Sequence, residues 1–334
     1  MKISPATLRS EAARSGFRPE ILEKVLHLLN LLEGFRSHPF LKTRFALKGG
    51  TALNLFVFDL PRLSIDIDIN YIGAVDRAAM LAERPRFEQA IQDVCHREDM
   101  TLTRLPADHA GGKWRLRYAS AVTATGHLEV DVNYMARVPL WNPVTADSRS
   151  VGSSTATAIP ILDVHELAAG KLAALLSRRA GRDLFDAHEL LTRHELDTAR
   201  LRLGFVVYGG MNRRDWRTVS IDDVAFGEAE LRNQLLPVMR TDPTITGADR
   251  KAWAARLVDE CRAALSTVLP LAENERAFLD LLLEQGEIDA TLLTDDQDLK
   301  KRIATHPGLQ WKAVNVREHK GGSATDEAVK PPDQ

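Results

Sequence analysis

Residues 62–69 read Arg-Leu-Ser-Ile-Asp-Ile-Asp-Ile, a strict two-residue alternation. On a β-strand successive side chains point to opposite faces, so Arg62, Ser64, Asp66 and Asp68 share one face and Leu63, Ile65, Ile67 and Ile69 the other. Two neighbouring carboxylates repel, and a hard divalent cation with oxygen ligands is the natural way to hold them together. The stretch 127–133, His-Leu-Glu-Val-Asp-Val-Asn, repeats the design: Leu128, Val130 and Val132 face one way, Glu129, Asp131 and Asn133 the other. Asp131 is therefore the candidate third carboxylate of a metal site. Upstream, Gly49-Gly50-Thr51 follows a short apolar strand and opens a helix. Glycines let a backbone approach a phosphate closely, a helix N-terminus supplies free N–H groups, and the Thr51 hydroxyl adds a donor. Carboxylates that hold magnesium opposite a phosphate turn are the parts that nucleotidyl transfer requires.

Taken singly, each feature has a plainer reading. Asp66-x-Asp68 also fits the wet face of an edge strand, and a glycine pair usually marks a turn. Asp131 could face water beside Glu129, and Lys171, in mid-helix, could be a surface residue. Arg178, Arg179 and Arg182 surround a helix end, where they would offset its dipole or grip RNA. Arg213, Arg214 and Arg217 form another basic cluster, which with Trp216 alone among them lacks the repeated aromatic interleaving of a stacking platform. Other chemistries are set aside. Gly112-Lys113 and Gly170-Lys171 are followed by Trp114 and Leu172, so neither is a Walker A loop. His165-Glu166 has Ala169 where a zinc-protease helix needs histidine, and no nucleophile elbow or dinucleotide fingerprint is present.

The elements that must position these groups follow from periodicity. Helices are expected at 18–35, Ala52–Phe58, 84–97, Val164–Arg179 (with Asp163 and Glu166 as a capping box) and Asp183–Arg193 (with Asp183 as N-cap). Further helices are expected over Leu201–Tyr208, Gly227–Met239, Ala248–Val268 and Glu273–Gln285. Strands are expected at about 44–48, 62–69, 113–121 and 127–133. The expected organisation is α+β: a first lobe (1–160) with a short mixed sheet, a helical second lobe (161–315) completing a cleft, and a disordered tail (316–334). The chain has 334 residues and a net charge of only −2, so nucleic acid would be held by local basic patches and not by bulk charge. Two cysteines, no secretory leader and no long apolar run predict a cytoplasmic protein without a membrane span.

Leu-Lys-Gly-Gly-Thr-Ala-Leu (47–53), followed by Arg-Leu-Ser-Ile-Asp-Ile-Asp (62–68), resembles the AbiEii family of nucleotidyltransferase toxins of type IV toxin–antitoxin systems, which includes the mycobacterial MenT group. The stretch from Glu166 to Lys171, through Arg178-Arg179 to Arg182-Asp183-Leu-Phe-Asp186, resembles that family's lysine and Arg-Asp-x-x-Asp motifs. The resemblance implies a DNA polymerase β-like nucleotidyltransferase fold, an NTP substrate, Mg2+ (or Mn2+), tRNA 3′ ends as acceptor with translation blocked, and a separately encoded cognate antitoxin. Carried over, Asp66 and Asp68 are metal ligands with Asp131, Lys171 contacts the triphosphate and Asp186 is an essential acid. Lys48, Gly49, Gly50, Thr51, Arg62 and Ser64 complete the candidate nucleotide contacts, and Arg178, Arg179 and Arg182 the RNA contacts. Rival readings are transfer to a small molecule or a protein hydroxyl, a nucleotide-binding module without turnover, and two-metal phosphodiester hydrolysis.

Overall fold

The computed structural model describes residues 3–104, 111–241 and 249–327, with side chains described up to residue 319. The site-bearing part is a seven-stranded mixed sheet, larger than the short sheet the sequence suggests. Its strands are β1 (Phe45–Lys48), β2 (Asp66–Tyr71), β3 (Thr101–Arg104), β4 (Gly111–Ala119), β5 (Thr125–Asn133), β6 (Val144–Ala146) and β7 (Ile159–Ile161), in the spatial order β3-β4-β5-β2-β1-β7-β6. β2 lies between β1, to which it is antiparallel, and β5, to which it is parallel. The register sets Asp68 opposite Asp131 on one side and opposite Lys48 on the other, and Lys113 of β4 opposite Asp131.

Alternation does the rest. Ile67, Ile69, Val130, Val132, Trp114 and Leu116 are all buried on the apolar face. That face is covered by α2 (Pro19–Ser37) and α4 (Arg77–Arg97), whose Leu28, Leu32, Phe87 and Ile91 are fully buried. The polar face looks instead toward α5 (Val164–Arg178) and α6 (Gly181–Arg193), with α5 packed on α6 and on α7 (Thr198–Gly210).

Several expected boundaries move, each for a visible reason. β2 begins at Asp66, not at 62: the Leu63 N–H donates to the Val238 carbonyl at 2.8 Å, and Arg62 bridges to Met239, so this segment leaves the sheet for the helical half. The helix after β1 opens at Gly49, ahead of Thr51, and widens into a π-helical turn over Leu53–Val57. Arg179 closes α5 in a left-handed conformation and Ala180 caps α6, so Asp183 lies in the first turn and is not the N-cap. Asp163 does cap α5 through the His165 N–H, but Glu166 is drawn elsewhere and no capping box forms. The helix expected over Gly227–Met239 breaks into short turns, the last of them Leu236–Val238, where Pro237 has no N–H to continue an α-helix. The C-terminal helix Pro307–Glu327 runs straight through position 316, where the sequence places the start of a disordered tail; 328–334 lie outside the described residues.

Candidate active site

A cavity of about 570 Å³ separates the polar face of β2 and β5 from α5 and α6. Asp66, Asp68 and Asp131 line its floor, with Lys48, Gly49, Gly50 and Ser64 beside them. Burial, then the charge of Asp68, raise the Asp66 carboxyl above its ordinary value; Arg182, with a guanidinium nitrogen 3.8 Å from its carboxylate, pulls the other way. Burial likewise raises Asp131, with Lys48 and Lys113 opposing and Asp68 adding to the rise. Among the described residues no three His, Cys, Asp or Glu side chains stand close enough to cage a metal ion, so the expected convergence is partial. The donor chemistry nonetheless fits a hard divalent cation: three carboxylates on adjacent strands share one cavity, and burial makes Asp66 and Asp131 costly to ionise without a counter-charge.

The glycine turn forms one edge of this floor. Gly49 has φ +70°, a conformation that L side chains rarely adopt, and a Cβ there would run into the Asp68 carboxylate. A Cβ on Gly50 would stand 2.9 Å from the Arg62 guanidinium and 3.0 Å from the Ser64 hydroxyl. Both glycines therefore admit close approach from the cavity side. Thr51 does not share this role: it is fully buried, and its hydroxyl donates to the Asp66 carbonyl, pinning the turn to the start of β2.

The opposite wall is cationic. Arg62 is 2 % exposed and grips Asp186 with two parallel bonds of 2.8 and 2.6 Å, the bidentate geometry that suits guanidinium to carboxylate. The Asn54 amide donates to the same carboxylate and to the Gly50 carbonyl, both at 2.9 Å. Lys171 on α5 reaches Asp183 at 2.8 Å and Asp186 at 2.9 Å, and Arg178 closes on Asp183 from outside. Burial opposes ionisation of both aspartates. Arg62 and Lys171 nevertheless hold Asp186 below its usual range, and Lys171 and Arg178 hold Asp183 below it. Burial also works against the Lys171 ammonium, but Asp186 and Asp183 raise it. Three cations thus meet two carboxylates, and the surplus positive charge faces the cavity. The three arginines expected to act together diverge. Arg178 and Arg182 line the cavity, whereas Arg179 turns away to Asp223 at 3.2 Å.

Sequence reasoning overlooked Asn54, Lys113 and the pair Glu166–Tyr208. Glu166 is buried and accepts from the Leu140 and Trp141 N–H groups at 3.0 and 3.4 Å and from the Tyr208 hydroxyl at 2.9 Å. Burial pushes its carboxyl up to about 7 despite those donors. A glutamate on the otherwise apolar face of α5 was the available signal.

Floor, turn and wall belong to an α+β protein of the DNA polymerase β-like nucleotidyltransferase fold. Residues 30–305 match the family described as nucleotidyl transferase AbiEii toxin, type IV TA system. The chain belongs to that family and is a nucleotidyltransferase toxin of a type IV toxin–antitoxin system. Among solved structures it is similar to MenT4, a nucleotidyltransferase toxin from Mycobacterium tuberculosis, with a TM-score of 0.61 and 16% identity over 92% of this chain and 99% of the other. At that identity the likeness speaks to the fold alone. A comparison with curated proteins found no match.

Proposed function

We propose that the protein transfers a nucleoside monophosphate from an NTP to the 3′ hydroxyl of RNA, with tRNA acceptor ends as the target, and so blocks translation. The observation that carries this reading is the two-sided charge of one cavity. Three carboxylates, Asp66, Asp68 and Asp131, face a cationic wall of Lys171, Arg178 and Arg182 across a glycine turn. The acceptor oxygen forms a bond to the α-phosphorus, the bond from that phosphorus to the β-bridging oxygen breaks, pyrophosphate leaves and the hydroxyl proton passes to solvent. Mg2+ (or Mn2+) held by Asp66, Asp68 and Asp131 would lower the pKa of the attacking hydroxyl and screen the triphosphate.

The chain's own residues orient and stabilise. The backbone of Gly49 and Gly50, with Lys48 and Ser64, cradles the triphosphate. Lys171 and Arg182 oppose the charge that builds on the departing pyrophosphate. Asp186 is a positioning residue: buried away from the cavity, it holds the Arg62 guanidinium and the Lys171 ammonium in place. Arg62 is spent on that pair, and Thr51 on β2, so neither is a primary nucleotide contact. A cognate antitoxin is the expected protein partner, and the cytoplasm, where tRNA is found, the expected location. No helix among the described residues is long and apolar enough to cross a membrane.

The test is incubation with α-labelled NTP, divalent cation and separate pools of RNA, polypeptide and small hydroxyl compounds. Label should enter RNA as a 3′ addition, disappear with EDTA, and fall by at least about 10³-fold in Asp66→Asn and Asp68→Asn. Label in the polypeptide or small-molecule pool, shortened RNA, or full activity in either variant would refute the assignment.

A further inference from the structure

Two further cavities adjoin the catalytic one, each sharing lining residues with the next. The first, about 660 Å³, shares Gly170, Ala174, Arg178 and Tyr208 with it. The second, about 440 Å³, shares Asn212, Arg213 and Trp311 with the first. A space of the first one's size accommodates a nucleotide. Two properties mark this run. Among the described residues, neither of the two added cavities is lined by a single Asp or Glu, in a chain with 46 acidic and 44 basic residues. Their charged lining is Arg178, Arg213 and Lys312.

Trp311, near the start of the helix Pro307–Glu327, stands 52% exposed where the two cavities meet. Arg213 lies on the same junction and forms no ion pair or hydrogen bond among the described residues. Its sequence neighbours are committed: Arg214 to Asp223, Arg217 to Asp215, Asp280 and Glu284. The one aromatic within the arginine cluster in sequence, Trp216, is fully buried, and the exposed ring beside Arg213 is supplied in space by Trp311, from a helix about a hundred residues later.

We propose that this track receives the single-stranded 3′ end of the RNA acceptor. The Trp311 indole stacks on a base, Arg213 and Lys312 meet the phosphates, and the terminal ribose passes Tyr208 into the catalytic cavity. The inference rests on transfer to RNA as proposed above and adds where the acceptor lies. An exposed aromatic ring beside cations and without carboxylates is the chemistry that grips single-stranded nucleic acid regardless of sequence.

The experiment uses the full chain and a short single-stranded RNA carrying a 5′ fluorophore and a free 3′ hydroxyl. Anisotropy reads RNA affinity, and calorimetry with a non-hydrolysable NTP analogue reads nucleotide affinity. Trp311→Ala should weaken RNA binding about tenfold or more, while Trp311→Phe stays within about twofold of the parent. Arg213→Glu should weaken RNA binding and flatten its salt dependence. Nucleotide affinity should stay unchanged in all three. Unaltered RNA affinity in both Trp311→Ala and Arg213→Glu overturns the track while leaving RNA as the acceptor. Loss of nucleotide affinity in parallel also overturns it, because the effect then comes through the fold. Labelled nucleotide that enters polypeptide or a small hydroxyl compound but not RNA overturns the track and the acceptor reading together.

Discussion

Removing Lys171 would take one cation from each of two carboxylates, Asp183 and Asp186, that are 2 % exposed or less, leaving Arg178 on the first and Arg62 on the second. An unpaired buried charge would cost about 3–5 kcal/mol, and the remaining arginines reduce that to the roughly 1–3 kcal/mol of a lost buried partner. Lys171→Ala is therefore expected to lower unfolding free energy by about 1–3 kcal/mol in urea titration, as well as to abolish transfer. Asp66→Ala differs in kind. Its carboxyl is raised by burial and by Asp68, so deleting it relieves repulsion, and its unfolding midpoint should match or exceed that of the parent. Equal stability of the two variants would contradict the ion cluster described here. At this scale the alternation of 62–69 told which residue types would share a face. It could not tell that Arg62 is consumed by Asp186, a partner more than a hundred positions away, or that Glu166 caps nothing and instead meets Tyr208.

Among the elements, the junction of β1 with the helix that opens at Gly49 does the positioning. Its tight geometry rests on one left-handed glycine packed against Asp68. Gly49→Ala should both strain the backbone, by roughly 1–2 kcal/mol, and push the Asp68 carboxylate out of register. The expected result is loss of nucleotide affinity in calorimetry that exceeds the loss of stability in urea. Retained nucleotide affinity would show that the turn does not cradle phosphate. Strand identity was legible because polar and apolar residues alternate over short windows. Strand order was not: the parallel pairing of β2 with β5, which brings Asp68 opposite Asp131, joins segments about sixty residues apart, and no local pattern encodes a non-local register. Asp183 shows the opposite failure, a residue with good capping chemistry that the stronger attraction of Lys171 and Arg178 claims for the cluster.

Across the whole molecule, the helical half closes over the sheet and buries polar groups at the seam. His306 lies between the helices Gln297–Thr305 and Pro307–Glu327, 1% exposed, with Nδ1 accepting from the Gly308 N–H. Burial, with Arg137 nearby, lowers its pKa from 6.5 to about 4. The neutral ring is what the fold accepts, so its contribution is fully present above pH 6.5. It is lost as pH falls toward 4, because the unfolded chain binds a proton that the folded one refuses, a difference of about 3 kcal/mol. Unfolding free energy should decline through that window, and His306→Gln should flatten the decline; an unchanged slope would exclude this origin. The helical half was foreseen only as helix-rich, because its packing partners, among them Arg302 on the Pro139 carbonyl and Asn142, come from across the chain. That distribution carries a biological corollary. Asp66, Asp131, Lys171 and Asp186 lie on four separate stretches, and the last two follow the sheet in the chain. Under the proposed mechanism a ribosome that emits this polypeptide holds a chain without a complete site until the second half has emerged and docked, and a cell that makes its own poison would have the length of synthesis in which to supply the antidote.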